Sequence, residues 1–321
     1  MTDAGTQLPA EFSLIARHFS PLAGPGTDGL RDDVAILTPP PGRDLILKAD
    51  ALVEGVHFLP TDPADLVARK LLRVNLSDLA GKGAIPIGYL VTISVPRGTP
   101  DEWFVAFAAG LAQDQREFSI SLLGGDTTST PGPISLSLTV IGHAEPGKTP
   151  RRGGAAAGDE IWVTGTIGDG ALGLAVAQGR LSDLSGHLLD RYRLPRPRLG
   201  FALGGIASAS MDVSDGLVQD LGHICRHSEL AAEIETALIP LSDPARAAGS
   251  EWLETILTGG DDYEVLMAVP PPRADALRAE AQRVGIQVTK IGRLLAGPPH
   301  VHVLDAAGLP MTLASGGWSH F

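Results

Sequence analysis

Apolar residues recur along the chain at two spacings, one typical of amphipathic helices and the other of buried strands. The first spacing predicts helices at residues 8–20, 62–81, 101–117, 169–179 and 183–193, from 217, near 250–256 and up to about 284. Short apolar runs predict strands at 33–38, 44–49, 87–95, 119–123, 134–142, 161–165, near 230–235, 263–269, 286–292 and 300–305, and one ending at Asp212. This mixture of helices and strands predicts an α/β protein, more specifically one of the mixed α+β class.

The chain length and one change in composition indicate two domains. A chain of 321 residues is long enough for two domains of ordinary size, each with its own core. Residues 148–158 are first basic and then rich in glycine and alanine, which is typical of a connecting segment. We therefore expect one domain of residues 1–150 and a second of residues 151–321.

Aspartates stand beside short apolar runs at six places, of which residues 210–216 are the most distinctive. There Asp212 and Asp215 follow a predicted buried strand and precede a helix. The other five places contain Asp33, Asp50, Asp78, Asp126 and the Asp261-Asp262 pair. Carboxylates gathered by the fold would repel one another without counter-ions, and oxygen ligands suit Mg²⁺ bound together with substrate phosphates. The alternative for Asp215 is an ordinary helix N-cap.

Composition excludes several classes of partner and predicts a cytoplasmic protein. A formal net charge of −12 argues against nucleic acid or an anionic membrane as a partner. No apolar run approaches the roughly 18–20 residues of a membrane span, and the first residues lack the pattern of a signal peptide. A single cysteine, Cys225, excludes an internal disulfide, and its position in a predicted helix favours buried packing.

One match to a phosphate-binding motif is best interpreted as coincidence. Residues 142–149 satisfy the P-loop pattern G-x-x-x-x-G-K-[ST] after a predicted strand. A P-loop requires a helix that begins at its Lys-Thr pair, so that backbone N–H groups point at the phosphate. Pro150 and two arginines and two glycines follow instead, with no amphipathic pattern. We expect no P-loop here.

Several other candidates have both a functional and a structural interpretation. Asp126 follows two glycines that would allow a ligand to approach the backbone, although a plain turn has the same composition. His57 lies between apolar residues, where a core or capping histidine is equally plausible. Trp318 could pack the terminus or stack on a flat heterocycle. Arg152 could belong to a solvated linker or hold a guanidinium beside a phosphate.

Taken in order, these segments resemble the thiamine-monophosphate kinase family. The resemblance is carried by Glu11-Phe12-Ser13-Leu14-Ile15, Gly125-Asp126-Thr127-Thr128, Val163-Thr164-Gly165-Thr166 and Trp318-Ser319-His320-Phe321. It covers nearly the whole chain and extends to a wider group that includes aminoimidazole ribonucleotide synthetase. The resemblance implies that group's two-domain fold, with N-terminal domains that pair through their sheets into a homodimer and ATP in a cleft. It also implies transfer of the ATP γ-phosphoryl group to thiamine monophosphate, which gives thiamine diphosphate in the last step of its biosynthesis.

The resemblance also implies a role for particular residues. Magnesium positions correspond to Asp33, Asp50, Asp78, Asp126, Asp212 and Asp215. ATP contacts correspond to Gly125, Asp126, Arg152 and Ser214. Thiamine monophosphate contacts correspond to His57, Asp261 and Trp318. No side chain is expected to act as a general base, because the accepting phosphate oxygen is already ionised at neutral pH and needs charge neutralisation and positioning.

The chain departs from the family pattern at two positions. Lys48-Ala49 replaces hydroxyl residues that usually precede the second aspartate, which leaves the number of magnesium ions open and allows the Lys48 ammonium to act as a point charge. Asp261 replaces a glutamate, so the substrate contact could be mediated by water or made by Asp262 instead. Both aspartates are candidates for the substrate contact, and Asp261 is the preferred one.

Two alternative functions remain. A sister ATP-dependent enzyme of the same fold is possible, but the hydrogenase-maturation and selenophosphate enzymes need a terminal or N-terminal cysteine, and this chain has only Cys225. A non-catalytic metal- or nucleotide-binding protein is the second alternative, favoured only by the altered residues Lys48-Ala49.

Overall fold

The computed structural model describes residues 10–314 and 316–318. It contains two compact units, Met1–Asn75 with Pro86–His143 and Leu76–Ile85 with Ala144–Phe321. Each unit contains one β-sheet, of four and six strands respectively among the described residues. The mixed α+β class predicted from the sequence is therefore confirmed.

The first unit contains a four-stranded sheet together with α-helices. Its described elements are α1 (Ala10–Leu14), β1 (Asp44–Val53), α2 (Ala64–Ala80), β2 (Ile85–Pro96), α3 (Asp101–Phe118), β3 (Ser121–Thr130) and β4 (Ser135–Ala144). The end of α2, from Leu76 onward, belongs to the second unit. The strand order is β1-β4-β2-β3, and β2 pairs in parallel with β3. Buried and half-buried residues alternate along β4, so one face of this strand belongs to the core.

The second unit contains a six-stranded sheet in the order β10-β7-β9-β5-β8-β6. Its elements are β5 (Glu160–Thr164), α4 (Asp169–Ala177), α5 (His187–Arg193), β6 (Ala209–Asp212), α6 (Leu217–Ser228), β7 (Ala231–Glu235), α7 (Asp243–Ala248), α8 (Leu253–Thr258), β8 (Val265–Val269), α9 (Ala274–Val284), β9 (Val288–Leu295) and β10 (His300–Leu304). Every residue of β8 is buried, which explains its uninterrupted apolar sequence. Strand β6 pairs antiparallel with β8 and carries Asp212 at its end.

Most predicted elements are confirmed within a few residues, but one strand is wrong. Residues 33–38 form no strand, and Val34 and Ile36 are 63% and 75% exposed. Left-handed backbone at Asp28 and Leu30 and the prolines from Pro39 onward keep this apolar segment out of the sheet.

Two helical predictions need smaller corrections, and one short helix was not predicted. The helix predicted at 8–20 ends at Leu14 and continues as a π-helical turn, Ile15–Phe19, while residues 8 and 9 lie outside the described part. The helix predicted near 250–256 begins as a short 3₁₀ turn and becomes α8 at Leu253. Helix α7 escaped prediction because it has only six residues, although Ser242 caps it by accepting a hydrogen bond from Ala245 N–H.

The exclusion of a P-loop and the predicted burial of Cys225 both agree with the structure. No helix begins at Lys148-Thr149, so the P-loop pattern has no structural counterpart. Cys225 is buried in α6, as predicted, and burial raises the pKa of its thiol to about 11. In residues 10–314 and 316–318, no helix has the length and apolar character of a membrane span.

Candidate functional site

The turn after β6 begins with a buried carboxylate and ends with a glycine. Asp212 is 4% exposed at the end of the strand, and Asp215 is half-buried in the turn. The N-cap of α6 is Gly216, where a Cβ atom would collide with the carbonyl of Thr258. Asp215 is therefore not the helix N-cap, which removes the structural alternative for this residue.

A buried carboxylate in the first turn of α6 holds this turn in place. Asp220 is 1% exposed, and its Oδ2 accepts hydrogen bonds from Ser214 N–H at 2.9 Å and Asp215 N–H at 3.0 Å. Burial raises the pKa of Asp220 to about 7, and the backbone donors act in the opposite direction. The sequence interpretation missed this residue, although an aspartate in the first turn of a helix is a recognisable signal.

The segment of residues 259–264 runs beside the turn and is hydrogen-bonded to it. Asp261 N–H donates to Ser214 O at 3.0 Å, Tyr263 N–H donates to Val213 O at 2.7 Å, and Val213 N–H donates to Glu264 O at 2.8 Å. Asp261 and Tyr263 both have left-handed backbone, with φ of 71° and 51°. Such strained residues cluster at functional sites. The fold thus brings Ser214, Asp215 and Asp261 together.

The two neighbouring aspartates of this segment have different environments. Asp262 is 0% exposed, and its carboxylate accepts hydrogen bonds from Gly168 N–H at 2.7 Å and Gly170 N–H at 3.1 Å. Burial raises the pKa of Asp262 well above its usual range. Asp261 is only half-buried. The Asp262 carboxylate is therefore not available to a substrate, whereas that of Asp261 can be reached.

The described end of the chain docks on the same turn. Trp318 N–H donates to Asp215 O at 3.0 Å, and Gln219 Nε2 donates to Trp318 O. The Trp318 side chain is nevertheless 52% exposed. The backbone of Trp318 thus fixes the terminus while much of its ring remains accessible. The last three residues, part of the motif used in the sequence analysis, lie outside the described residues.

The end of helix α2 lies against strand β6. Lys82 Nζ donates to Ser210 O at 2.5 Å, and a Cβ atom at Gly81 would crowd Asp212 N at 3.1 Å. Burial lowers the pKa of Lys82 to about 8, while the charges of Asp212 and Asp78 act to raise it. This contact joins the half-buried Asp78 to the strand that carries Asp212. The sequence interpretation missed Lys82, because nothing local distinguishes it from a surface lysine.

Arg152 belongs to the same part of the second unit. Its neighbour Arg151 accepts a hydrogen bond on its carbonyl from Ser210 N–H at 2.9 Å, which fixes this segment beside β6. The Arg152 side chain is exposed, and its charge contributes to lowering the pKa values of Lys82 and His223. Arg152 therefore lies on a segment fixed beside β6, with its charge acting on Lys82 and His223, rather than in a free linker.

In the first unit, Asp33, Gly125 and Asp126 line one cavity of about 710 Å³. Its walls combine apolar side chains such as Phe12 and Leu90 with hydroxyl groups of the sheet. Only glycine fits at 125, because a Cβ atom would overlap the Val91 carbonyl on the neighbouring strand. The exposed carboxylates of Asp33 and Asp126 thus line the same open cavity.

Asp50 and His57, the other candidate site residues of the first unit, do not line this cavity. On β1, Lys48 Nζ lies 3.1 Å from Asp50 Oδ1, and Asp50 N–H donates to Asn75 Oδ1 at 3.0 Å. His57 Nδ1 accepts a hydrogen bond from Val53 N–H at 2.9 Å, and Lys70 Nζ donates to the His57 carbonyl at 3.0 Å. Nδ1 of the His57 ring thus caps a backbone N–H group, which agrees with the interpretation of His57 as a capping histidine.

A second possible ligand group contains Asp215, Asp220 and His223, whose ligand atoms lie within 4.8 Å of one another. Asp220 is already occupied by backbone donors, and His223 Nδ1 lies 3.1 Å from Arg226 Nη2. Because Arg226 is a donor, Nδ1 is the accepting nitrogen of this ring. Of the three side chains, Asp215 is the one best suited to bind a metal ion.

Comparison with known proteins identifies the family. Residues 31–144 match the AIR synthase related protein N-terminal domain, and residues 156–305 match the corresponding C-terminal domain. A thiamine-monophosphate kinase of Caulobacter vibrioides is 44% identical over 303 residues, 90% of this chain and 85% of the relative. The chain belongs to the thiamine-monophosphate kinase family. The resemblance inferred from the sequence motifs is thereby confirmed.

Solved structures of the thiamine-monophosphate kinase family have the same fold. The enzyme from Stenotrophomonas maltophilia K279a matches with a TM-score of 0.78 and 38% identity, over 85% of this chain and 89% of that chain. A structure described as "AaThiL complexed with AMPPCP and TMP" also matches with a TM-score of 0.78, at 28% identity over 92% of this chain and 94% of that one. The aminoimidazole ribonucleotide synthetase-like fold is confirmed.

The raised pKa of Asp220 predicts a specific pH dependence of stability. The folded state holds the Asp220 proton more tightly than the unfolded state, so its deprotonation destabilises the fold as pH rises from about 4 to about 7. Asp220→Asn does not titrate. We expect urea unfolding without magnesium to show the wild type losing stability relative to this variant between pH 5 and pH 8. A constant difference across this range would contradict the prediction.

Proposed function

We propose that this protein transfers the γ-phosphoryl group of ATP to thiamine monophosphate and so forms thiamine diphosphate. The main support is membership of the thiamine-monophosphate kinase family over nearly the whole chain. A family structure with bound AMPPCP, a non-hydrolysable ATP analogue, and TMP supports ATP and thiamine monophosphate as the two substrates. In biosynthesis this reaction would be the last step to thiamine diphosphate. A cytoplasmic location and domain limits of 1–150 and 151–321 stay predictions.

The residues present fit bound magnesium. Their ligand atoms are carboxylate oxygens, the type that Mg²⁺ prefers, and Asp33 and Asp126 share one open cavity. Magnesium would be held by Asp33, Asp50, Asp78, Asp126, Asp212 and Asp215. When bound, it neutralises phosphate charge and reduces the repulsion between donor and acceptor. The protein's own part is to hold these carboxylates and to orient both substrates for direct, in-line transfer.

The remaining proposed roles concern substrate contacts. Gly125, Asp126, Arg152 and Ser214 would contact ATP, and Gly125 lines the same open cavity as Asp126. His57, Asp261 and Trp318 would contact thiamine monophosphate. The exposed ring of Trp318 is suited to stack on a heterocycle, and the accessible carboxylate of Asp261 is suited to the cationic thiazolium ring.

The activity and the role of Asp126 can be tested together. With thiamine monophosphate, ATP and Mg²⁺, we expect thiamine diphosphate to form, and EDTA to abolish its formation. Asp126→Asn should lower kcat by about 10²-fold or more, because an electrostatic ligand is lost, while the thermal unfolding temperature stays unchanged at this exposed position. The matched control is Asp275→Asn, an aspartate whose side chain is 97% exposed. Near-wild-type kcat in Asp126→Asn would refute its metal role.

We propose further that the positive charge of the Lys48 ammonium replaces that of one metal ion beside Asp50, because the two side chains form an ion pair. Lys48→Ser restores a hydroxyl and removes the competing charge. We expect this variant to bind about one more divalent ion per chain than the wild type, counted by Mn²⁺ titration with electron paramagnetic resonance. An unchanged number of bound Mn²⁺ ions would show that Lys48 does not affect metal occupancy.

We propose a homodimer that forms through the sheet of the first unit. Strand β1 stands at one edge of this sheet and exposes Leu45 by 40% and Leu47 by 65%. Light scattering after size exclusion should give about twice the chain mass of 33.4 kDa. Leu47→Asp should shift the protein to the monomer, whereas Leu184→Asp, at a fully exposed leucine of the second unit, should not. A monomeric wild type would exclude this assembly.

A further inference from the structure

A buried ionic cluster lies directly behind the segment that carries Asp261. We define the Glu264 cluster as Thr164, Arg191, Arg198 and Glu264. Glu264 is 0% exposed and accepts hydrogen bonds from Thr164 Oγ1 at 2.6 Å and Arg191 Nη2 at 3.0 Å. Arg198 donates to both Glu264 oxygens, at 2.7 Å from Nε and 2.5 Å from Nη2. One buried carboxylate is thus paired with two guanidinium groups and a hydroxyl.

The Glu264 cluster joins three motifs for which the sequence offered no common role. Thr164 belongs to the motif at the end of β5, Arg198 to the basic spacer of residues 194–198, and Glu264 to the segment after Gly259. The Arg198 side chain is only 23% exposed, so this end of the spacer is not a solvated linker. Gly165 is required beside the ion pair, because a Cβ atom there would overlap the carboxyl group of Glu264.

The Glu264 cluster is hydrogen-bonded to the segment of residues 259–264 at two of its residues. Arg191 Nη2 donates to Asp262 O at 2.9 Å as well as to Glu264, and so spans two residues of the segment. The Asp262 carboxylate is held in turn by the first N–H groups of α4. These bonds hold Asp262 and Glu264, which flank Tyr263, and Asp262 directly follows Asp261. The left-handed backbone of Asp261 and Tyr263 is sparsely populated by residues with side chains and needs such restraint to persist.

We propose that the Glu264 cluster positions Asp261, by holding its backbone in the left-handed conformation that aims its carboxylate at the thiamine moiety of the substrate. Its members are positioning residues and touch neither substrate. The expected consequence is selective control of the affinity for thiamine monophosphate. This inference rests on the proposed substrate contact of Asp261.

Arg198→Met is the decisive variant, because it removes two of the four hydrogen bonds to Glu264 and leaves those of Arg191 and Thr164. We expect KM for thiamine monophosphate to rise about tenfold, or about 1.4 kcal/mol, with kcat and KM for ATP within about twofold of the wild type. Arg196→Met is the matched control, since Arg196 lies in the same spacer and makes an exposed ion pair with Asp190. Its kinetic constants should not change.

A second pair of variants covers the case in which Arg198→Met does not fold. Thr164→Val keeps the shape of the side chain but removes the hydrogen bond to Glu264 and the one that Thr164 Oγ1 accepts from Val265 N–H. Thr164→Ser restores the hydroxyl and both bonds. We expect the valine variant to raise KM for thiamine monophosphate selectively and the serine variant to recover wild-type affinity. Unchanged KM, or an equal loss of affinity for both substrates, would overturn the positioning role.

Hydrogen exchange separates this inference from the proposed function. The amides of Asp261 and Tyr263 donate to carbonyls of the neighbouring turn, so their exchange reports directly on the segment. Faster exchange of residues 259–264 in Arg198→Met, but not in Arg196→Met, supports the positioning role even if the wild type lacks thiamine-phosphate kinase activity. Exchange equal to that of the wild type would overturn it, whereas a wild type without that activity would refute the proposed function alone.

Discussion

Hydrogen bonding between the turn after β6 and the segment before β8 is the constraint on which the second unit's candidate site depends. Strand β6 has only four residues, and its pairing with β8 continues beyond the strand ends. Val213 is hydrogen-bonded to Tyr263 and Glu264, and Ser214 to Asp261. Residues about fifty positions apart in sequence are thereby held in one register. Because backbone groups make these bonds, the arrangement tolerates the polar and charged side chains that function requires.

The aspartate carboxylates of this chain occur in two different environments. Fully buried aspartates such as Asp220 and Asp262 accept hydrogen bonds from backbone N–H groups, which replace water and organise turns. The more accessible ones, such as Asp33 and Asp126, keep open surroundings in which a cation can bind. Hydrogen bonding to backbone donors thus marks Asp220 and Asp262 as structural carboxylates, whereas Asp212 remains a candidate ligand although it is buried. The distinction excludes Asp262 as a substrate contact and favours Asp261, although the two are adjacent in sequence.

Much of the fold could be predicted from the sequence because its longer elements have clear periodicity, as in α3 and the fully buried β8. The strand predicted at 33–38 was wrong because an apolar run does not reveal whether a partner strand can reach it. Family motifs indicated the candidate residues, but not Asp220, Lys82 or Arg198. The contacts of Lys82 and Arg198 join residues far apart in sequence and have no local signal, whereas Asp220 had a local signal in its position in the first turn of a helix, but its burial could not be predicted.

The left-handed backbone of Asp261 links stability to function. A non-glycine residue in this conformation costs on the order of 1–2 kcal/mol, so a glycine would be more stable if only the backbone mattered. Gly259 and Gly260 stand directly before it, which shows that the chain uses glycine where close approach alone is needed. At position 261 the chain instead carries a carboxylate in a strained conformation and surrounds it with buried hydrogen bonds. Such an arrangement is expected where the direction of a side chain matters more than the local stability of its backbone.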